Sequence, residues 1–310
     1  MRAARSSFPW TAPLLAGALV VACGAAESAP QTAADERDAP VADDDGKLAR
    51  SPREDTLDAL REKLKQPSED KKLDLAAKGW GAELGRVLGS AETLASLEKL
   101  DVSDNDLGAE GARDLLASPH LGGLVALDLG GNAIGDDGVK ALAKCNLEQL
   151  AMLNLSGNGI GPDGAKALAK GKGYPALSSL DLSMNPVGAD GVKALGGAGL
   201  AKLSALFLLG SEIGVDGAKA LAKSGLKLKV LALSGNSIGD DGAKALAASR
   251  KLSSLSTLDL SANAIGDAGA KALASSPHLK GLSKLEMFAN ELTATGKAAL
   301  SKRFGDAVKL

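Results

Sequence analysis

Side chains able to do chemistry are sparse in this sequence, and their spacing narrows what they could do. The cysteines are Cys23 and Cys145, and the histidines are His120 and His278, each in a Ser-Pro-His-Leu stretch. Cys145 has no histidine near it in sequence, so nothing supplies the base that a thiolate nucleophile needs. The two histidines are too far apart to share a metal. No GxxxxGKS phosphate loop and no HExxH zinc motif is spelled, and glycines placed by a repeated turn make other glycine patterns uninformative. The most regular reactive set is acidic. Asp74, Asp101, Asp128, Asp181, Asp259 and Glu286 recur at a near-constant interval, with Asn154, Phe207 and Ala232 in the intervening places. A Ca²⁺ role would need clustered carbonyl ligands or a Ca²⁺-loop motif, and neither accompanies them. The row suits attraction of a cationic partner instead. No catalytic constellation is spelled, so the expectation is a non-enzymatic chain with no cofactor and no metal.

Bulk composition agrees with a binding protein more than with a nucleic-acid one. The 310 residues are 24% charged with a net charge of −2, and aromatics make up 2%. That balance gives no electrostatic reason to expect nucleic acid, and few rings are present to stack on bases.

The first 22 residues are not fold. Arg2 and Arg5 form a positive start, and Trp10 to Val21 form an apolar stretch too short for the ~20 residues a bilayer span requires. The run ends in Leu-Val-Val-Ala-Cys at Cys23, which resembles the lipobox of bacterial lipoproteins. That resemblance implies cleavage before Cys23 and fatty acyl (palmitate-type) chains on it, a membrane anchor more stable than any single chain. With Gly24 after the cysteine, it also implies sorting to the outer membrane of a bacterial envelope. Cys145 is then the lone thiol of the mature chain and cannot form an internal disulfide. Residues 23–53 are rich in Ala, Pro, Asp and Glu and too poor in large apolar groups to offset the entropy of ordering. They read as a tether.

From Leu73 the chain repeats itself. Leucines 73, 100, 127, 153, 180, 206, 231, 258 and 285 stand 25 to 27 residues apart, each opening a pattern close to L-x-L-x-x-N-x-I-G-x-x-G-x-K-x-L. Alternating leucines bury one face of a strand. Acids at Asp137, Asp163, Asp190, Asp216 and Asp241 then precede Ala-Lys-Ala-Leu or Val-Lys-Ala-Leu runs, as a helix N-terminus prefers. The asparagines at 105, 132, 158, 185, 236, 263 and 290 read as a ladder that satisfies turn backbone, with Ser211 a weakened rung. The period and the Leu/Asn pattern resemble those of leucine-rich repeats, and the helical half resembles the ribonuclease-inhibitor subclass. The resemblance implies an α/β solenoid (a horseshoe) with a parallel concave sheet and convex helices, monomeric, over residues 73–310.

Both ends read as capped. A helix within residues 54–72 carries Leu57, Leu60 and Leu64 on one face before Pro67, and Leu300, Phe304 and Val308 recur four apart at the other end. Trp80 reads as cap filler. On the helices, cations from Arg86 to Lys271 follow an acid three residues earlier in most units, which reads as a self-neutralised solvent face.

One unit departs from its copies. Phe207 takes the acid's place, Leu209 takes that of a Ser or Gly, and Ala205, Val230 and Ala232 stand beside them. Together they predict an apolar notch, with Phe207 facing solvent on the concave sheet, flanked by neighbouring carboxylates that repel by roughly 0.8 kcal/mol in water. The expected function is an envelope-anchored lipoprotein that binds a protein or peptide, basic in character, on this face. Two other readings stay open: a regulator resembling Ran GTPase-activating proteins or bacterial effectors, and a passive envelope protein with no specific ligand.

Overall fold

The computed structural model describes residues 52–66 and 69–310. The signal segment, Cys23, residues 24–51 of the expected tether, and Pro67 lie outside them; Pro52 and Arg53, expected in the tether, instead open the first helix. In the unit Pro52–Leu310, short strands and helices alternate along the chain. The strands are β1 (Lys72–Asp74), β2 (Lys99–Asp101), β3 (Ala126–Asp128), β4 (Met152–Asn154), β5 (Ser179–Asp181), β6 (Ala205–Phe207), β7 (Val230–Ala232), β8 (Thr257–Asp259), β9 (Lys284–Glu286) and β10 (Val308–Lys309). They form one parallel sheet in sequence order. Ahead of them lies α1 (Pro52–Lys63), and between them α2 (Gly81–Gly89), α3 (Gly108–Leu116), α4 (Gly135–Leu142), α5 (Pro162–Lys170), α6 (Gly188–Leu195), α7 (Gly214–Lys223), α8 (Gly239–Ala247), α9 (Asp267–Ala274) and α10 (Ala294–Phe304). This is a solenoid in which each unit touches chiefly its neighbours.

Register follows from the leucines. From β1 to β9 the middle residue of each strand is a buried leucine, aligned in register with the next from Leu73 to Leu285. Burying that row against the helices fixes which side chains face outward, because neighbouring strand residues alternate. Helices approach closely where glycine allows it: a Cβ at Gly85 would lie only 2.0 Å from the Gly111 carbonyl oxygen. Alanine there would force α2 and α3 apart.

The asparagine ladder spans the strand-to-helix turns. Asn132 Nδ2 donates to the carbonyls of Val102, Leu129 and Gly130 at 3.0 Å each, while its Oδ1 accepts the N–H groups of Asn105 (3.0 Å) and Leu107 (3.3 Å). Asn158 repeats the set one unit on. Such buried backbone groups have no sheet partner, so the side chain is what satisfies them.

Several expectations need correction. The glycines after the isoleucine position are not equivalent: Gly135 is left-handed (φ 58°), as expected of a tight turn, whereas Gly161 and Gly266 are extended helix caps. The helices that begin there are capped from the preceding unit. Asp136 accepts the Gly161 N–H at 2.7 Å, Asp240 accepts those of Gly266 and Gly269 at 2.8 Å, and Asp267 does the same for Thr293 and Gly296. The expected acid–cation pairs three apart form for Arg86, Lys140, Lys219 and Lys244. Glu110 instead reaches across to Arg86 at 2.5 Å, because the helices stack closely enough for pairing between units. Val308 is not on the C-terminal helix. The left-handed Gly305 (φ 55°) ends α10, and Val308 enters β10, which pairs with β9 and covers its edge. Leu57, Leu60 and Trp80 are buried at the first end, as cap residues should be.

Candidate partner-binding face

The outward column of the sheet has two kinds of rung. In the first, the acid holds its own turn. Asp101 Oδ1 accepts the Ser103 N–H at 3.0 Å, Asp128 that of Gly130 at 2.9 Å, Asp181 that of Ser183 at 2.8 Å and Asp259 that of Ser261 at 2.9 Å. Asp74 and Asn154 make the same bond, to Ala76 and Ser156. This is the Asx turn, in which a short side chain accepts a backbone N–H two residues on. The recurrent acid is therefore a backbone device, which any short acceptor could supply. At the far end Glu286 is spoken for by Lys284 at 2.9 Å.

These acids are less open to water than the sequence led us to expect. Asp101 is 4% exposed and Asp128 6%, since the tight strand spacing covers them with neighbouring side chains. Burial is the main reason that the Asp128 carboxyl is pushed up to about 7; Asp101 and Asp181 nearby add to it, and the bonds from Gly130 and Asn154 oppose it. Burial likewise raises Asp181 and Asp259. Asn154, donating to Asp128 at 2.9 Å, interrupts the row of charges where it is most crowded.

The second kind is the rung of β6. Phe207 cannot accept, so the Leu209 N–H donates to the Ser183 hydroxyl of the preceding unit at 3.2 Å. Ser211 is buried, and its Oγ has the Leu182 and Leu209 carbonyls within reach at 3.2 and 3.4 Å. The other half of the ladder is lost. Among the described residues, Asn185 N–H has no side-chain acceptor on the next rung, and Val187 N–H turns to the Asn185 carbonyl at 2.7 Å.

Apolar surface gathers at that rung. Phe207 stands in register with Ala232 and Val230 with Ala205 on the neighbouring strands β6 and β7, and Leu209 follows Phe207 into the turn. Phe207 is half-buried rather than fully solvent-facing, and Ala232 is buried, because the pleat tucks the ring between its neighbours. Leu209 is 40% exposed. One contributor was missed in the sequence. Met184 is 62% exposed and left-handed (φ 57°) at the place where units before and after carry Gly157 and Gly210. Its Sδ lies where a Cβ on Gly210 would be 3.0 Å away, so the thioether folds over the β6 turn. A methionine in a glycine column was the available signal for Met184. Phe288, also 40% exposed, holds the Leu209 position three units on.

Elsewhere the reactive groups are quiet. Cys145 donates to the Leu116 carbonyl at 3.1 Å, and burial pushes its thiol up to about 11. Gly235-Asn236-Ser237-Ile238-Gly239 has the spelling of a nucleophile elbow, but it is the repeat's own turn. Ser237 is left-handed (φ 52°) beside the ladder residue Asn236, while His120 and His278 precede strands at the opposite edge of the sheet.

Six segments, residues 93–116, 124–143, 152–169, 176–196, 226–247 and 251–274, match a family model described as Leucine Rich repeat. One similar solved chain is in the crystal structure of a TLR13–ssRNA13 complex, at 22% identity and a TM-score of 0.45, covering 70% of this chain and 33% of that one. This chain thus spans about a third of the other's length. No curated protein matches it.

Proposed function

We propose that this chain, which carries leucine-rich repeats stacked as a solenoid, is a non-enzymatic binding protein. Its partner is a protein or peptide segment docked on the outward face of the sheet across β5 to β7. The observation that carries this reading is the coincidence at one rung. Two backbone-satisfying side chains are replaced there, by Phe207 and Ser211, and exposed Leu209 and Met184 appear beside them. Apolar clusters set in polar surroundings mark contact sites, aromatics lead their energetics, and methionine adapts to irregular partners. Of the column's acids, Asp181 on β5 and Asp259 on β8 flank the patch and keep partial exposure, which favours a ligand that carries a basic group beside its apolar anchor.

The fitting test is selection of peptides from a random displayed library on the whole chain. Enriched sequences should pair an apolar anchor with Lys or Arg, and their binding should fall at least about 30-fold on Phe207→Asp. Enrichment that ignores Phe207 would move the site elsewhere.

The same proposal places the chain in a bacterial envelope, attached to the outer membrane through acyl groups on Cys23, with residues 23–53 as the tether. The Leu-Val-Val-Ala-Cys spelling supports it. A labelled fatty acid should enter the chain and be lost on Cys23→Ala; unchanged membrane attachment of that variant would end the lipoprotein reading.

A further inference from the structure

The net charge of −2 conceals a local excess of cations along one edge of the sheet. Because all strands are parallel, every segment that runs from a helix into a strand lies at the same edge. Backbone bonds show these segments stacked in one row: Ser178 N–H donates to Ala151, Ser204 to Ser178, Lys229 to Ser204, Ser256 to Lys229 and Ser283 to Ser256, at 2.7 to 2.9 Å. The side chains of that row are one-sided in the middle of the solenoid. Residues 170–178, 196–204 and 223–229 contain Lys170, Lys172, Lys202, Lys223, Lys227 and Lys229 and not one Asp or Glu. All six lysines are exposed, and among the described residues none of the six forms an ion pair. Arg250 and Lys251 extend the row into the next segment. At the start of the same edge the pattern differs, since Glu98 is bonded to Lys71 at 2.8 Å. The solvent face of the helices is also self-paired, through Lys140–Asp137 and Lys244–Asp241.

Two recesses open along this stretch. One, of about 410 Å³, is lined by Lys193, Lys219 and Lys223 but also by Asp216, which pairs with Lys219 at 3.6 Å; the other, of about 500 Å³, is lined by Lys170, Lys172 and Lys202 with no acid. Unpaired like charges gathered along one edge repel one another, and a surface of opposite sign relieves the repulsion. We propose that this edge lies against an anionic lipid surface, with headgroup phosphates entering the recess among Lys170, Lys172 and Lys202. The arrangement favours a lipid surface over a nucleic-acid strand. Its cations are lysines, which act as point charges on flexible stems and need no fixed partner geometry. They follow a row along one edge rather than a groove that encloses a strand, and the aromatic side chain in these segments, Tyr174, is buried, so no base can stack on it. The proposal does not rest on the acyl anchor or on the notch. It would hold the outward face of the sheet upright on the membrane, leaving Phe207 and Leu209 open to a partner.

The test uses the full chain with Cys23→Ser, so that no acyl group contributes. It compares vesicles of phosphatidylcholine alone with vesicles that also contain phosphatidylglycerol. Binding should require the anionic lipid and weaken steeply as salt rises. Replacing the six lysines by glutamine should lower it more than about 100-fold, since each cation near such a surface contributes about fivefold. An amine-labelling reagent gives a second reading on the unaltered lysines. With vesicles bound, Lys170, Lys202 and Lys223 should be protected while Lys140 and Lys244 label as in free protein. Equal binding to both vesicle types, an undiminished glutamine variant, or uniform labelling would overturn the proposal. So would single-stranded RNA that displaces the chain from anionic vesicles at equal phosphate concentration, which would assign the edge to nucleic acid.

Discussion

The turn that follows β3 and the turn that follows β6 are copies in sequence and opposites in what their side chains do. After β3, Asp128 and Asn132 point at backbone and between them take up six bonds to main-chain groups. After β6, Phe207 makes no such bond, and Ser211 keeps only contacts through one hydroxyl. Regular rungs are therefore regular because the turn demands it, and their acids say little about a ligand. The irregular rung has given up main-chain bonds worth about 1 kcal/mol each while exposing Leu209 and Met184. That difference singles out the β5–β7 region as the place to look for binding.

The comparison can be sharpened first where the effect is largest. Leu182 is fully buried behind the β5 rung, and Leu182→Asp should cost about 4 kcal/mol or more, measured by urea unfolding. Deleting the whole unit 153–179 should instead leave a shorter chain that still unfolds cooperatively. If the deletion is as damaging as the buried charge, the neighbour-only picture of both turns fails.

Next come the ladder residues themselves. Asn158→Ala strands the Asn132 and Ile134 N–H groups and three carbonyls, so a loss of about 3 kcal/mol is expected. Ser211→Ala, at the irregular rung, should cost under about 1 kcal/mol. Equal losses would mean that the two turns are not different in kind.

The acids offer an intermediate effect with a definite sign. The Asp128 carboxyl is raised when folded, to about 7, by burial first. Below the unfolded value near 4 both states are protonated and no penalty exists. As pH rises from about 4 through 7, the unfolded chain ionises this group while the fold keeps it protonated, so stability is lost, the loss being complete above about 7. By linkage this group should make the full chain up to about 4 kcal/mol less stable at pH 8 than at pH 4. Asp128→Asn keeps the acceptor for Gly130 and should be the more stable protein at pH 8, with the gap closing toward pH 4. A variant no more stable at pH 8 would show that the charge is not buried.

The smallest effect is a gain. Ser211→Asn restores an acceptor for Asn185 and Val187 and should add about 1 kcal/mol, read as a rise in Tm.

Much of the architecture was legible in the sequence, because a repeat of 25 to 27 residues with paired leucines can bury itself in few ways. The ladder asparagines, the buried Trp80 and the placing of Phe207 and Val230 on neighbouring strands were all readable from type and register. What stayed hidden depends on neighbours in space. Asp136, Asp240 and Asp267 cap helices one unit away, a relation that local spacing does not show. The burial of Asp101 and Asp128 arises from strands on both sides. Val308 looked helical by its interval from Phe304, but the preceding Gly305 turns the chain into β10. Met184 stands where neighbouring units carry Gly157 and Gly210, a signal in the repeat, but its fold over the β6 turn depends on the next unit in space.

The most direct measurement of the central claim is a paired readout on Phe207→Asp, made with a peptide selected on the unaltered chain. Aspartate offers the Leu209 N–H a same-rung acceptor in place of the Ser183 hydroxyl it now uses, so unfolding free energy should stay within about 1 kcal/mol of the parent. Affinity for the peptide should nevertheless fall by about 2 kcal/mol or more, roughly 30-fold, because the aromatic anchor is gone. A variant that folds as well as the parent and binds as tightly would contradict the account, reducing the irregular rung to an ordinary variation in a repeated turn.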